Sequence, residues 1–170
     1  MDDDKANGPS LPRGGTVLTR AGFDLPLGGA QPGVVRFVIA TIVAVVLSLL
    51  ACAAIAAASS TLWPSIAGYD HFRFADYGKL TIIGVVLACI SWPLICLISS
   101  NARRPFLWLT VLVTVVGLAP DAWILYKGQP VFAVVALVIM HFALALITFP
   151  ALVLIAPQRP KLKPSWEPNA

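Results

Sequence analysis

Residues 131–156 read VFAVVALVIMHFALALITFPALVLIA, a run whose only ionisable side chain is His141. A membrane-spanning helix needs about 20 consecutive, predominantly apolar residues, so this stretch is long enough to cross a bilayer. Three further apolar runs occupy residues 34–58, 79–99 and 106–126. We therefore predict an all-α integral membrane protein with four transmembrane helices.

The composition agrees with a chain that lives in a bilayer. Of its 170 residues, 58% are hydrophobic and 12% are charged, whereas a soluble domain carries about 25% charged residues. The net charge is +4, but the basic residues flank the apolar runs and form no basic face with interleaved aromatics. The lipid bilayer is therefore the expected partner, and nucleic acid is not.

The basic residues also predict the orientation, because cytoplasmic loops carry an excess of Lys and Arg. Loops of six and four residues (100–105 and 127–130) make the second, third and fourth spans antiparallel neighbours, so an up-down-up-down bundle is the simplest arrangement. Eight basic residues on one side against three on the other place both termini in the cytoplasm: Arg13, Arg20, Arg36, Arg103, Arg104, Arg159, Lys161 and Lys163 against Arg73, Lys79 and Lys127. Arg36, Arg103, Arg104 and Arg159 are the predicted cytoplasmic anchors.

Outside the spans we distinguish three segments. Residues 1–33 have no regular apolar period and are predicted to be a disordered cytoplasmic tail. Residues 157–170 form a basic, proline-rich cytoplasmic tail. The loop 59–78 is rich in aromatic side chains, which favour the level of the lipid headgroups. Its polar residues Asp70, His71 and Asp76 either form a functional site or are simply solvated residues of a loop.

The three cysteines, Cys52, Cys89 and Cys96, lie inside apolar runs, and no two of them form a Cys-x-x-Cys motif. Disulfide redox chemistry is therefore disfavoured, and we expect the cysteines to act as small packing residues. An alternative concerns Cys52, because Leu49-Leu50-Ala51-Cys52 resembles the cleavage box of a bacterial lipoprotein. More than 30 residues precede the apolar run, however, and residues 53–58 stay apolar. We therefore expect the first span to be retained; processing would leave three spans.

Small and polar residues predict which helix faces pack, because lipid tails are as apolar as leucine and give no hydrophobic drive between helices. Each span carries a stripe of such residues at helical spacing. The stripes fit packing within the bundle and packing on another protein equally well. The candidate packing residues are Ser48, Gly84, Ala88, Ser91, Thr114, Gly117 and Ala145.

Asp121 and His141 are the ionisable residues placed well inside the spans, and such residues are often functional. At 1.5 Å per residue, Asp121 lies about 8 Å and His141 about 15 Å from the outer ends of their helices. The offset of about 7 Å along the bilayer normal permits direct contact with some tilt, or a bridge by water or a hydroxyl. One interpretation is a proton relay or ligand pocket open to the outside. The other is interhelical packing, with His141 bonded to a carbonyl freed by a proline.

Several enzyme chemistries lack the residues they need. A haem with two axial histidines needs a second histidine within the spans, and a zinc or di-iron site needs at least three converging ligands. We find no glycine-rich phosphate loop and no serine nucleophile in a known context. The sequence predicts no metal, no cofactor and no enzyme activity, although a quinone- or lipid-modifying enzyme acting through Asp121 and His141 stays conceivable.

Three short motifs resemble an uncharacterised actinobacterial family of four-helix integral membrane proteins: Gly117-Leu118-Ala119-Pro120-Asp121, Met140-His141-Phe142 and Pro150-Ala151-Leu152. The resemblance covers residues 35–156. It implies a four-span fold in a prokaryotic plasma membrane and supplies no activity. From the stripes and the scarcity of polar groups we expect a protein that works by association with other membrane subunits or with itself. The alternative is a small transporter or channel component that uses Asp121 and His141.

Overall fold

The computed structural model describes residues 31–159, so most of the two predicted tails lies outside the described residues. Within that range the chain forms four long helices: α1 (Val34–Leu62), α2 (Phe74–Ile98), α3 (Arg103–Tyr126) and α4 (Val131–Pro150). No strand occurs in residues 31–159. The four helices are each long and apolar enough to cross a membrane, which confirms the predicted all-α class and the number of helices.

The segment between α1 and α2 is shorter than the predicted loop 59–78. α1 continues to Leu62 and α2 begins at Phe74, with two short 3-10 turns between them, Pro64–Ile66 and Asp70–Phe72. The extension of α1 is possible because the Ser60 hydroxyl donates to the carbonyl of Ala56 at 2.9 Å. A polar side chain that bonds the preceding turn in this way fits within a helix.

α1 and α4 form the centre of the bundle. α1 packs against α2 and α4, and α4 also packs against α3, whereas α2 and α3 share few contacts. α2 and α3 touch only near the short loop 99–102 that connects them. There the rings of Trp92 and Phe106 lie 5.0 Å apart. The predicted side-by-side packing of the second and third spans is therefore limited to one end.

α3 is the least buried helix. Only 6% of its most apolar stretch is buried, against 22–33% in the other three helices. One side of α3 faces α4, and the remaining sides carry exposed apolar residues such as Trp108, Leu112 and Val116. A helix with so many open apolar sides is suited to contact lipid or another protein.

The core consists of small residues that bring the helices close together. Towards the loop 99–102, Ala40 and Ala44 of α1 pack in one cluster with Cys89 and Cys96 of α2. Towards the α1–α2 connection, Cys52 and Ala56 pack with Met140 of α4. All three cysteines are buried and reduced, and Cys52 Sγ lies 3.6 Å from Thr81 Oγ1. Their place in the structure is that of small packing residues.

α2, α3 and α4 contain Pro93, Pro120 and Pro150, respectively. Of these three prolines, only Pro150 is followed by a change in helix type. Pro150 is followed by a π-helical turn, Ala151–Ile155. A proline removes one backbone donor and crowds the preceding turn, so a wider helical spacing is a common adjustment. Beyond this turn, the carbonyl of Ala156 accepts a 2.9 Å hydrogen bond from the indole nitrogen of the buried Trp92.

Gln158 joins the end of α4 to the α2–α3 loop. Its amide nitrogen donates to the carbonyls of Ser99 (2.7 Å) and Cys96 (3.3 Å), and its Oε1 accepts from the backbone nitrogen of Ala102 at 3.1 Å. These groups belong to the end of α2 and the start of α3, where helices leave backbone groups unpaired. The side chain thus ties three helices together at this end of the bundle.

Candidate polar site between α3 and α4

The structure brings Asp121 and His141 into direct contact. Nδ1 of His141 lies 3.1 Å from Oδ2 of Asp121, although their positions along the two helices predicted an offset of about 7 Å. Helical side chains lean towards the N-terminus of their own helix. Because α3 and α4 run in opposite directions, Asp121 and His141 lean towards each other, and this closes the offset.

The hydrogen bond of the imidazole goes to its own helix. Nδ1 also lies 3.1 Å from the carbonyl of Leu137, four residues earlier in α4. A carbonyl only accepts, so Nδ1 carries the proton and donates it there. Among the described residues, Asp121 Oδ2 has a charge contact with His141 but accepts no well-formed hydrogen bond. Leu137 is not the carbonyl that Pro150 would free, which is that of Leu146, so the predicted bond to a proline-freed carbonyl is not formed.

Gly117 provides the space for the imidazole. A Cβ at this position would lie 3.0 Å from Cδ2 and 3.2 Å from Nε2 of His141. Gly117 is one helical turn before Asp121, so both residues face α4 from the same side of α3. The absence of a side chain at Gly117 therefore lets the ring reach the carboxylate.

Tyr69, from the segment between α1 and α2, adds a second buried oxygen near Asp121. Its hydroxyl is buried and, among the described residues, has no hydrogen-bond partner. Burial raises the pKa of Tyr69 above its usual value, and the negative charges of Asp121 and Asp70 add to this rise. Neither the sequence pattern nor the spacing distinguished Tyr69 from the other aromatic residues of its segment.

The imidazole is more accessible than the carboxylate. The side chain of Asp121 is 6% exposed and that of His141 is 33% exposed. The exposed aliphatic face of α4 carries Val135, Ile139 and Leu146, and His141 lies on a different side of the helix at 100° per residue. The part of the ring that stays open therefore lies away from this aliphatic face.

Chemically, this arrangement can hold a proton or one polar ligand. Nδ1 of the ring lies 3.1 Å from the carboxylate, and the second ring nitrogen can donate to or accept from a ligand. Residues 31–159 contain no group of three or more His, Cys, Asp or Glu side chains arranged to hold a metal ion.

The polar residues of the α1–α2 segment do not join this site. Asp70 pairs with Arg73 at 3.1 Å, and the two side chains are 76% and 72% exposed. Asp70, His71 and Asp76 line an open depression of about 330 Å³. Exposed ion pairs of this kind contribute little stability, and the geometry matches the solvated-loop interpretation.

The candidate packing residues divide into three groups by their burial and contacts. Ser48 is buried, and Gly117 contacts His141. Ala88, Ser91, Thr114 and Ala145 are half-buried, and the hydroxyls of Ser91 and Thr114 donate to carbonyls of their own helices. Gly84 is exposed, and a Cβ there would meet no atom within 4 Å. Gly84 therefore packs closely against no other helix among residues 31–159, and the packing role predicted for it stays a prediction.

The four predicted anchors lie at one end of the bundle. Arg36 is in the first turn of α1, Arg103 and Arg104 begin α3, and Arg159 follows the π-helical turn. All four side chains are exposed. Because α1 begins, α2 ends, α3 begins and α4 ends here, the four arginines lie at the same end of the bundle.

Comparison with known proteins yields no relative. No protein-family model matches the chain, no curated protein matches it, and no solved structure matches it. The resemblance to an actinobacterial four-helix family therefore stays a prediction.

Proposed function

We propose that this chain is a non-enzymatic membrane protein that works by association, as an accessory subunit or an oligomeric scaffold. Its partners are other membrane subunits or further copies of itself. The setting we propose is a prokaryotic plasma membrane, with both termini in the cytoplasm.

The observation that carries the proposal is the open small-residue face of α2. Gly84 is exposed, with Ala88 and Ser91 half-buried one and two turns further along. The contacts of α2 with α1 are made by other residues, including Thr81, Val85 and Cys89. Small residues in membrane helices allow close approach of a second backbone. A face of this kind, with no partner helix among residues 31–159, is suited to a partner from another chain.

His141 supports the same proposal. Its side chain is one-third exposed and lies about 15 Å from the end of α4, thus near the middle of a bilayer. An ionisable group at that depth normally faces protein or water, because hydrocarbon leaves it unsolvated. A partner helix packed on the bundle would cover the part of the imidazole that the described helices leave open.

The test is site-specific photocrosslinking in the native membrane. We would place a benzophenone amino acid at Gly84, where added atoms meet open space, and at Leu87 on the exposed aliphatic side of α2 as the matched control. We expect a discrete protein adduct from position 84 and lipid adducts from position 87. Purification in mild detergent, with mass spectrometry of the adduct, then identifies either another subunit or a second copy. A monomer with identical adducts from both positions would contradict association.

A second candidate function is a component of a small transporter or channel, and the contact between Asp121 and His141 favours it. A buried carboxylate beside a partly accessible imidazole is a usual arrangement for proton transfer in membrane proteins. The rest of the bundle argues for the accessory role, because towards the loop 99–102 the helices pack through an apolar cluster that includes Ala44, Trp92 and Leu152.

Substitution separates the two functions. Asp121→Asn and His141→Gln preserve size and polarity but remove the titrating groups. In a proton-linked transporter each change should abolish pH-driven flux in proteoliposomes. In an accessory subunit each should leave the position-84 adduct in place. Loss of flux with unchanged assembly would transfer the proposal to transport.

A further inference from the structure

At the end of the bundle where α1 begins, two arginines face one cavity. The cavity has a volume of about 360 Å³ and is lined by Gly33, Arg36, Pro157, Gln158 and Arg159. Neither guanidinium lies within ion-pair distance of a carboxylate belonging to residues 31–159. Two positive charges at one cavity repel each other, and an anion between them lowers this repulsion.

The position of Arg159 is set by the fold. Gln158, the preceding residue, is held by its hydrogen bonds to the α2–α3 loop, and Ala156 is held by Trp92. The Arg159 guanidinium reaches back to Gly33, where a Cβ would clash with its Nη2 atom. The Arg159 guanidinium therefore lies over the start of α1, although the residue is exposed.

The backbone adds donors at the same place. The first intrahelical bond of α1 runs from the nitrogen of Phe37 to the carbonyl of Gly33 at 2.8 Å, so the preceding amide groups have no helical acceptor. No side chain caps this end of the helix. Guanidinium groups together with such amides match the oxygens of a phosphate group.

The level of the cavity indicates where the phosphate comes from. α1 continues directly from it into the exposed apolar residues Val34, Val35 and Val38, so the cavity lies where a spanning helix leaves the hydrocarbon. Lipid phosphates occupy that level of a membrane. A free phosphate anion has the same recognition chemistry, and only an experiment distinguishes the two sources.

We propose that the cavity lined by Arg36 and Arg159 binds a phosphate group, supplied by the headgroup of an anionic phospholipid. The two guanidinium groups hold the phosphate oxygens, and the ligand in turn removes the repulsion between them. The site lies at the opposite end of the bundle from Tyr69 and does not depend on the association proposed above.

The test is native mass spectrometry of the full chain in detergent micelles with phosphatidylglycerol, phosphatidylcholine or inorganic phosphate. We expect retention of phosphatidylglycerol in preference to the zwitterionic phosphatidylcholine. The double variant Arg36→Gln with Arg159→Gln should lower the affinity for phosphatidylglycerol about tenfold, because it removes two charge-assisted contacts. Both side chains are exposed, so the fold should persist, and circular dichroism checks this.

The matched control is Arg103→Gln with Arg104→Gln. It removes the same charge at the same end of the bundle but leaves the cavity lining intact, and we expect unchanged affinity. Displacement of the lipid by inorganic phosphate would assign the site to free phosphate, and retention would assign it to the headgroup. Equal weakening by the two double variants, or no weakening by either, would overturn the proposal.

Discussion

The imidazole of His141 lies against Gly117, so closely that a Cβ on the glycine would sit 3.0 Å from Cδ2 of the ring. Asp121 lies one turn further along α3 and contacts the same ring. The close approach of the two helices here depends on the missing side chain. Two glycine substitutions follow from this geometry.

Gly117→Ala should destabilise the bundle by about 1–3 kcal/mol relative to Gly84→Ala, because the added methyl group forces the His141 ring and the facing helix apart. Both changes bring the same gain in helix propensity, about 1 kcal/mol, so their difference isolates the clash. At Gly84 the methyl group meets open space. Unfolding in mixed detergent micelles, followed by circular dichroism, measures the difference. Equal stability of the two variants would show that α4 moves away without cost.

Trp92→Phe should reduce the free energy of unfolding by about 1 kcal/mol or more, because it leaves the carbonyl of Ala156 without its donor. The indole is 1% exposed and donates at 2.9 Å, and phenylalanine keeps much of its contact with Phe106. Trp108→Phe is the control, since that ring is 71% exposed and should change nothing. The same unfolding assay applies, and equal effects would argue against the Ala156 bond.

The proposed orientation predicts opposite labelling of two exposed positions. Ser65→Cys lies between α1 and α2, and Asn101→Cys lies between α2 and α3. In intact cells a membrane-impermeant maleimide should label only the cysteine at 65, and lysis should expose the one at 101. The native cysteines are buried and should give little background. If only the cysteine at position 101 were labelled in intact cells, the orientation would be the opposite of the one proposed.

The effect of the Asp121 charge on Tyr69 predicts a pKa change. The carboxylate charge raises the pKa of Tyr69, so Asp121→Asn should lower it towards its ordinary value. Tyr77→Phe and Tyr126→Phe leave Tyr69 as the only tyrosine of the three, and its ionisation is followed by ultraviolet absorbance at alkaline pH. Asp76→Asn is the control and should leave the titration unchanged. If Asp121→Asn left the titration curve of Tyr69 unchanged, Tyr69 would not belong to the polar site.

How much of the site could be read from the sequence differs between its members. Asp121 and His141 were identifiable because charged or titratable side chains are costly inside a bilayer and therefore rare. Tyr69 was not, since an aromatic residue at the membrane surface is ordinary. Gln158 was not either, because it follows the last apolar run and its three hydrogen bonds join residues more than 50 positions earlier in the chain.

The sequence by itself determined the four helices and their approximate limits. Hydrocarbon accepts only backbone whose hydrogen bonds are satisfied, and it needs about 20 apolar residues per crossing, so each span is a local property of its own run. Only the tertiary structure decided which helices touch. Lipid solvates apolar side chains as well as a neighbouring helix does, so hydropathy does not rank the possible pairings. The close packing of small residues placed α1 and α4 at the centre, left α3 at the edge, and turned Asp121 and His141 towards each other.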